Sequence, residues 1–404
     1  MSKALQVALG IVTAFGGFLE AGSIATSAQA GSEFGYRLLW VLALGTLCLI
    51  ALVEMSGRLA AVSHHTIAAA VRERFGFNFF LLPLAGMALV SVLTLVAELG
   101  GVCIALQLAT GIGFQWWALP VVALAWALLW LGNFDVIEKG VSMLGLVTVV
   151  FVVAAFRHQP PLGEVVAGLA PSLPPADSGR FWFLAVSILG ATLTPYLFYF
   201  YSSGAVEEGW DERMLGTNRL VASVGMAFGA VLSGAVLVVS VNVFGPRAIK
   251  LESYDQIALL LTDSLGRWGF ALFVASLAIA CLGAALEITL AFAYMVAQGF
   301  GWNWGENLRP RDAARFSVTY MGALVVAGTP VALGVDPLRV TNLAMVLNAA
   351  LLPLAVMLFL VLMNDREYVG EHVNGRLGNA FVLLVTALAC VLALASLPLE
   401  LAKG

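Results

Sequence analysis

The chain has 404 residues, of which 61% are hydrophobic and only 11% charged, and its mean hydropathy is +0.96. A water-soluble domain carries about 25% charged residues, so a chain with less than half of that belongs in a lipid bilayer. The formal net charge of −4 is spread thinly, which excludes both a basic nucleic-acid footprint and an acidic disordered tail. Cys48, Cys103, Cys281 and Cys390 each fall inside an apolar run without metal-ligand spacing, so they read as small buried hydrophobes.

A membrane-spanning helix needs about 20 mostly apolar residues, so the stretches between charges map the spans. In chain order they are 5–31, 37–56, 78–108, 115–133, 138–156, 181–203, 215–244, 268–298, 313–333, 341–363 and 378–398, eleven in all. The first run has no basic leader followed by a small-residue cleavage site and is expected to stay as a helix. With eleven spans, Lys3, Arg58, Arg72, Arg74 and Arg309 fall on the more basic side, whereas Arg37, Arg157, Arg180 and Arg247 fall on the other. The positive-inside rule then places the N-terminus in the cytoplasm and the C-terminus outside, in a plasma (inner) membrane.

The longest irregular stretches are the Pro-rich 157–180 and the segment 245–267. The first follows the fifth span and precedes five more, which suggests a 5+5 inverted repeat with one extra helix. The expected organisation is residues 1–156 as the first five-helix repeat and 157–180 as a Pro-rich extracellular loop. Residues 181–363 form the second repeat, and 364–404 hold the last loop and the eleventh span.

The first span reads GIVTAFGGFLEAGSIATSAQAGSEFGY, with Glu20 in its middle, a Gly-Gly pair before it and Gly22 after it. A carboxylate at that depth costs about 2.5–3.5 kcal/mol and faces a partner, water or a cation. The flanking glycines lower the cost of unwinding the helix there. The sixth span, ILGATLTPYLFYFYSSG, carries Pro195 in mid-helix, which frees the carbonyl of Ala191 one turn back. Broken helices at corresponding positions of two halves point to a transporter's midplane site.

At these residues the chain resembles the Nramp family of divalent-metal transporters. Glu20-Ala21-Gly22-Ser23 stands where the family has DPGN, and Ala25-Thr26, Ala30-Gly31 and Phe34-Gly35-Tyr36 match the pattern that follows. The sixth span matches through Gly190-Ala191-Thr192, Thr194-Pro195-Tyr196, Tyr199, Tyr201 and Ser202, and the third through Thr94, Ala97 and Glu98. Asn218-Arg219 and Asn364-Asp365 match short signatures near later helices, so the likeness runs from about residue 8 to 366.

The resemblance implies an all-α, LeuT-like 5+5 fold with helices 1 and 6 unwound at mid-membrane and alternating access as the mode of transport. Carried over residue by residue, the family's ligands become Glu20, Ser23, the Ala191 carbonyl and Thr194, with Ala21 and Tyr196 alongside. All the donors are oxygens, which suit hard cations such as Mg²⁺, Ca²⁺ and Mn²⁺. Ser23 and Thr194 are shorter than the family's Asn and Met, and are expected to leave room for a hydrated ion. The family's third-helix Asp aligns with Leu95, and its two sixth-helix His residues with Tyr196 and Tyr201. His64, His65, His158 and His372 all lie in loops, so proton coupling is in doubt, with Glu98 as a possible relay and an interhelical hydrogen bond as its structural alternative.

Glu287 in the eighth span is a further intramembrane acid, either facing the site or paired with Asn242 or Asn348. Asn348 and Tyr201 are weaker site candidates. Glu54 stands four residues before Arg58 and is expected to pair with it. The favoured function is therefore transport of a hard divalent cation, Mg²⁺ or Mn²⁺, with no resident cofactor, no nucleic acid and no obligate protein partner. The alternative is a transporter of the same fold carrying an amino acid or amine. No HExxH, GxSxG or Walker sequence supports an enzyme.

Overall fold

The computed structural model describes residues 19–131, 140–141, 143–172, 178–247, 249–305 and 308–401, with side chains up to residue 396. The described residues are helical or loop, with no strand among them. The long helices are Ala21–Phe34 (α1), Leu39–Ser63 (α2), Phe77–Thr110 (α4) and Phe114–Leu131 (α5), with Ile67–Phe75 (α3) a short one between α2 and α4. Val150–Arg157 (α6) and the short Leu162–Ala167 (α7) lead to the pair Ser178–Thr192 (α8) and Pro195–Glu207 (α9). Leu215–Phe244 (α10) is followed by the short Tyr254–Ile257 (α11) and Leu259–Leu265 (α12). Arg267–Phe300 (α13), Ala314–Ala332 (α14), Pro337–Met363 (α15), the short Arg366–Val369 (α16) and Arg376–Leu401 (α17) complete the order.

A described helix falls in every one of the eleven expected spans, and eight helical stretches among the described residues are long and apolar enough to cross a membrane by themselves. The Gly-Gly pair at 16 and 17, Lys3 and the start of the first span lie outside the described residues. Two stretches expected to be irregular are partly helical: 157–180 contains α7 and the first turn of α8, and 245–267 contains α11 and α12. Hydropathy missed them because helices of seven residues or fewer cannot span a bilayer. A Ser253/Gln256 capping box starts α11, a signal local to the chain and independent of hydropathy.

α3 is also absent from the hydropathy map. Ile67, Ala68, Ala70 and Val71 are buried on one side of it, while Arg72, Glu73 and Arg74 stay polar and outward. The Thr66 hydroxyl caps it by accepting the Ala69 N–H at 3.3 Å. The chain turns into it through His64, whose φ of 57° is left-handed.

Small residues set the helix packing, because van der Waals contact rather than the hydrophobic effect holds helices together in lipid. α4 and α13 run along each other, and a β-carbon on Gly101 of α4 would meet the Cys281 sulfur of α13 at 2.5 Å. α1 is enclosed by α10, α8 and α15, so every residue from Ala21 to Gly31 is buried. At one end of the bundle Glu54 and Arg58 pair at 3.1 Å, as their spacing predicts, and Arg58 continues to the His372 carbonyl and to Asn374 at 2.7 Å. At the opposite end of α1, Glu33 meets Arg180 of α8 at 2.8 Å.

Candidate functional site

The start of α1 meets the gap between α8 and α9 at the centre of the bundle. α1 begins only at Ala21, and Glu20 before it is extended (φ −105°, ψ 172°) without capping the helix through its own side chain. The N–H groups of a helix's first turn have no partner within the helix, and a buried helix start must find one elsewhere. Here the Ala21 N–H donates to both carboxylate oxygens of Glu98 on α4, at 3.2 and 3.1 Å. Glu98 is fully buried and sits at the positive end of α1, where an anion is favoured. The interhelical bond expected as the alternative for Glu98 is therefore present, as a cap supplied from another helix.

The second break lies between α8 and α9. Leu193 and Thr194 are non-helical, and Thr194 is extended (φ −65°, ψ 119°) as the residue that opens α9. Pro195, expected from sequence to break the sixth span, occupies the first position of a new helix, where its missing N–H costs nothing. The consequence expected for Ala191 holds, because the residue four positions on has no N–H to offer its carbonyl. The last carbonyls of α8 thus form the negative end of a helix directed at the break.

Glu20 is 2% exposed. The Tyr196 hydroxyl donates to its Oε2 at 3.1 Å, whereas its Oε1 has no hydrogen-bond partner among the described residues. The Thr194 hydroxyl oxygen is likewise buried and without a partner there. A cavity beside them is lined by Glu20, Ser23, Ala191, Thr192 and Thr194, with Thr46 of α2 and Met226 and Ser233 of α10 opposite. Its free space is about 20 Å³, enough for one water molecule or a bare ion. The room for a hydrated ion expected beside Ser23 and Thr194 is not there, because α2 and α10 close over the shortened side chains.

Gly22 was expected to unwind the first span. It lies instead in the first turn of α1 with a helical backbone, and the break falls at Leu19 and Glu20. Its lack of a side chain serves close approach: a β-carbon there would stand 2.5 Å from the Met345 sulfur and 3.3 Å from Glu20 Oε1. Met345 belongs to α15, as does Asn348 one turn on, whose Nδ2 lies 4.0 Å from the Met345 sulfur and 3.5 Å from the Thr94 hydroxyl. Asn348 Oδ1 is buried without a partner among the described residues.

The remaining candidates divide. Glu287 of α13 lies within electrostatic reach of the Tyr196 hydroxyl, together with Glu20 and Glu98. Asn242, one of its suggested partners, donates instead to Tyr36 and to the Val238 carbonyl. Tyr201 is not beside Glu20: its hydroxyl donates to Asn218 Oδ1 at 3.0 Å, and Asn218 donates to the Glu54 carbonyl at 2.8 Å. The Ala21 carbonyl accepts from Tyr254 of α11 at 3.3 Å. Met345 and Tyr254 were missed from sequence. For Met345 the signal was its position three residues before Asn348, on one helix face. Nothing in the sequence placed Tyr254, because it reaches the site from a short loop helix.

The comparisons with known proteins agree with this architecture. The profile of the family Nramp, natural resistance-associated macrophage protein-like, matches residues 10–398. The divalent metal cation transporter MntH of Pectobacterium carotovorum subsp. carotovorum (strain PC1) is 27% identical over 385 residues, covering 92% of this chain and 90% of its own. Among solved structures, the Eremococcus coleocola manganese transporter in complex with an aromatic bis-isothiourea compound is similar with a TM-score of 0.81 at 21% identity. That match covers 96% of this chain and 85% of the other. The nucleobase-cation-symport-1 family transporter Mhp1, closed around bromovinylhydantoin, matches with a TM-score of 0.64 at 16% identity over 96% and 91%. The helical bundle is therefore that of the LeuT-like fold, and the chain, an integral membrane transporter rather than an enzyme, belongs to the Nramp family.

Proposed function

We propose that the protein moves a divalent cation, Mn²⁺ or Mg²⁺, across the membrane by alternating access, with Glu20 as the anchoring ligand. The observation that carries this is Glu20 Oε1, a carboxylate oxygen buried without a partner among the described residues, where α1 starts beside the gap between α8 and α9. Tyr196 occupies the other oxygen and fixes the carboxylate's orientation. The Thr194 hydroxyl, Ser23 and the Ala191 carbonyl offer further oxygens, and the negative end of α8 adds a favourable field. The relatives named for divalent metal and manganese transport support the same class of cargo.

The small cavity favours a cation that sheds its water, which Mg²⁺ does reluctantly, over an amino acid or amine. Transport is uncoupled from protons: Glu98 is held as a helix cap, and the four histidines lie in loops. The N-terminus faces the cytoplasm of a plasma or inner membrane, with residues 1–156 and 181–363 as the two repeats. Uptake of Mn²⁺, Mg²⁺ and Ca²⁺ into proteoliposomes, with and without a pH gradient and repeated for Glu20→Ala, tests all of this. Uptake abolished by Glu20→Ala and indifferent to the gradient is expected. Uptake that survives Glu20→Ala overturns the anchoring role, and internal acidification overturns uniport.

A further inference from the structure

We propose that Met345 of α15 supplies a thioether ligand to the transported ion, so that the site is not the all-oxygen set its sequence suggests; this rests on Glu20 being the anchoring ligand. The sulfur of Met345 and Oε1 of Glu20 both crowd Gly22, standing 2.5 and 3.3 Å from where its β-carbon would be. Any residue but glycine at 22 would fill that point and push the thioether away. The backbone on the other side of Met345 is pinned, because its carbonyl rests against Gly190 of α8, where a β-carbon would overlap it. Met345 is fully buried and wedged between the two broken helices, packed with Ala191 and Ala344. It has no route to relax away from Glu20 except by turning its own flexible side chain.

The polar groups around the sulfur point the same way. Glu20 Oε1 and Asn348 Oδ1 are both buried acceptors without partners among the described residues, and Asn348 turns its Nδ2 to the Met345 sulfur at 4.0 Å. Two unsatisfied acceptors on the residues that flank the thioether match a cation rather than a further acceptor. A thioether discriminates among cations by softness: it adds affinity for Mn²⁺ and far more for Cd²⁺, and nothing for Mg²⁺ or Ca²⁺. Met345 is thus the selectivity residue, while Glu20 supplies the charge that any divalent ion needs.

The thioether of Met226 lines the cavity from α10, and its exchange tests whether that sulfur, rather than the one of Met345, meets the ion. The full-length protein in proteoliposomes is assayed for Mn²⁺, Cd²⁺ and Mg²⁺ uptake as wild type, Met345→Leu, Met345→Cys and Met226→Leu. Leucine conserves volume at either position. In Met345→Leu the Mn²⁺ to Mg²⁺ uptake ratio should fall by about tenfold with Mg²⁺ uptake unchanged, and Met345→Cys should restore Cd²⁺ uptake. X-ray absorption of the Cd²⁺-loaded protein should show a sulfur neighbour in wild type and Met226→Leu that is missing in Met345→Leu. A sulfur neighbour that persists in Met345→Leu, a ratio that follows Met226 instead, or equal loss of all three ions in Met345→Leu and Met345→Cys overturns the proposal. Wild-type protein that takes up no divalent cation at all would instead bring down the proposed function.

Discussion

The main-chain N–H of Ala21 donates to both carboxylate oxygens of Glu98, 77 positions along the chain, so α4 supplies the cap that α1 lacks. Glu98→Ala would leave that buried N–H unpaired and should destabilise the protein by about 1–3 kcal/mol. Glu98→Gln keeps one acceptor in place. Thermal unfolding in detergent should therefore show most of the wild-type Tm in Glu98→Gln and a clear drop in Glu98→Ala. Equal losses in the two would mean that the charge, and not the cap, is what the helix start requires.

The bond from Tyr196 to Glu20 orients the carboxylate, and its removal should be felt in binding before stability. Tyr196→Phe loses a hydrogen bond to a charged group and should raise the apparent Kd for Mn²⁺ by about tenfold. Isothermal titration of purified protein reads this directly. An unchanged Kd would show that the carboxylate holds its position without the hydroxyl.

Gly190 lets α15 approach α8 closely, with the Met345 carbonyl standing where a side chain would be. Neither backbone can yield as a side chain could, so Gly190→Ala should cost about 1–3 kcal/mol. Differential scanning calorimetry should find the loss, and Gly204→Ala on α9, where a β-carbon meets open space, should not show it.

Asp365, outside the spans, is held below the usual carboxylate range by the Glu367 N–H, with Arg74 at 2.9 Å as the second cause. A depressed carboxyl contributes stability above its unfolded-state pKa and loses it as pH falls through the folded-state pKa. The Tm difference between wild type and Asp365→Asn should thus be present at neutral pH and shrink below a pH of about 4. A difference that stays constant down to pH 3 would remove the charge from the account.

Spans and breaks were legible in the sequence because both depend on local chemistry: runs free of charge, a buried carboxylate, a proline without an N–H. Glu20, Glu98 and Pro195 stood out on those grounds, and the structure places all three at the junction. What stayed hidden depends on distant segments. Gly22 read as a hinge, yet its role is set by Met345 more than three hundred positions away, and no pattern within either helix announces that contact. The volume beside Thr194 was likewise out of reach, because α2 and α10 decide it. Pro195 shows the intermediate case, since its presence marked the break while its position in a helix depended on where α8 ended.

Glu33 and Arg180 join the far ends of α1 and α8, and Phe34 stacks edge-on against Phe181 one residue further along each helix. α1 and α8 therefore carry a double rivet at the end remote from Glu20. A swing of α1 about Glu20 would drag α8 with it, the two acting as a single rocker arm. The same swing would have to break the bond that Ser240 of α10 donates to the Ala28 carbonyl.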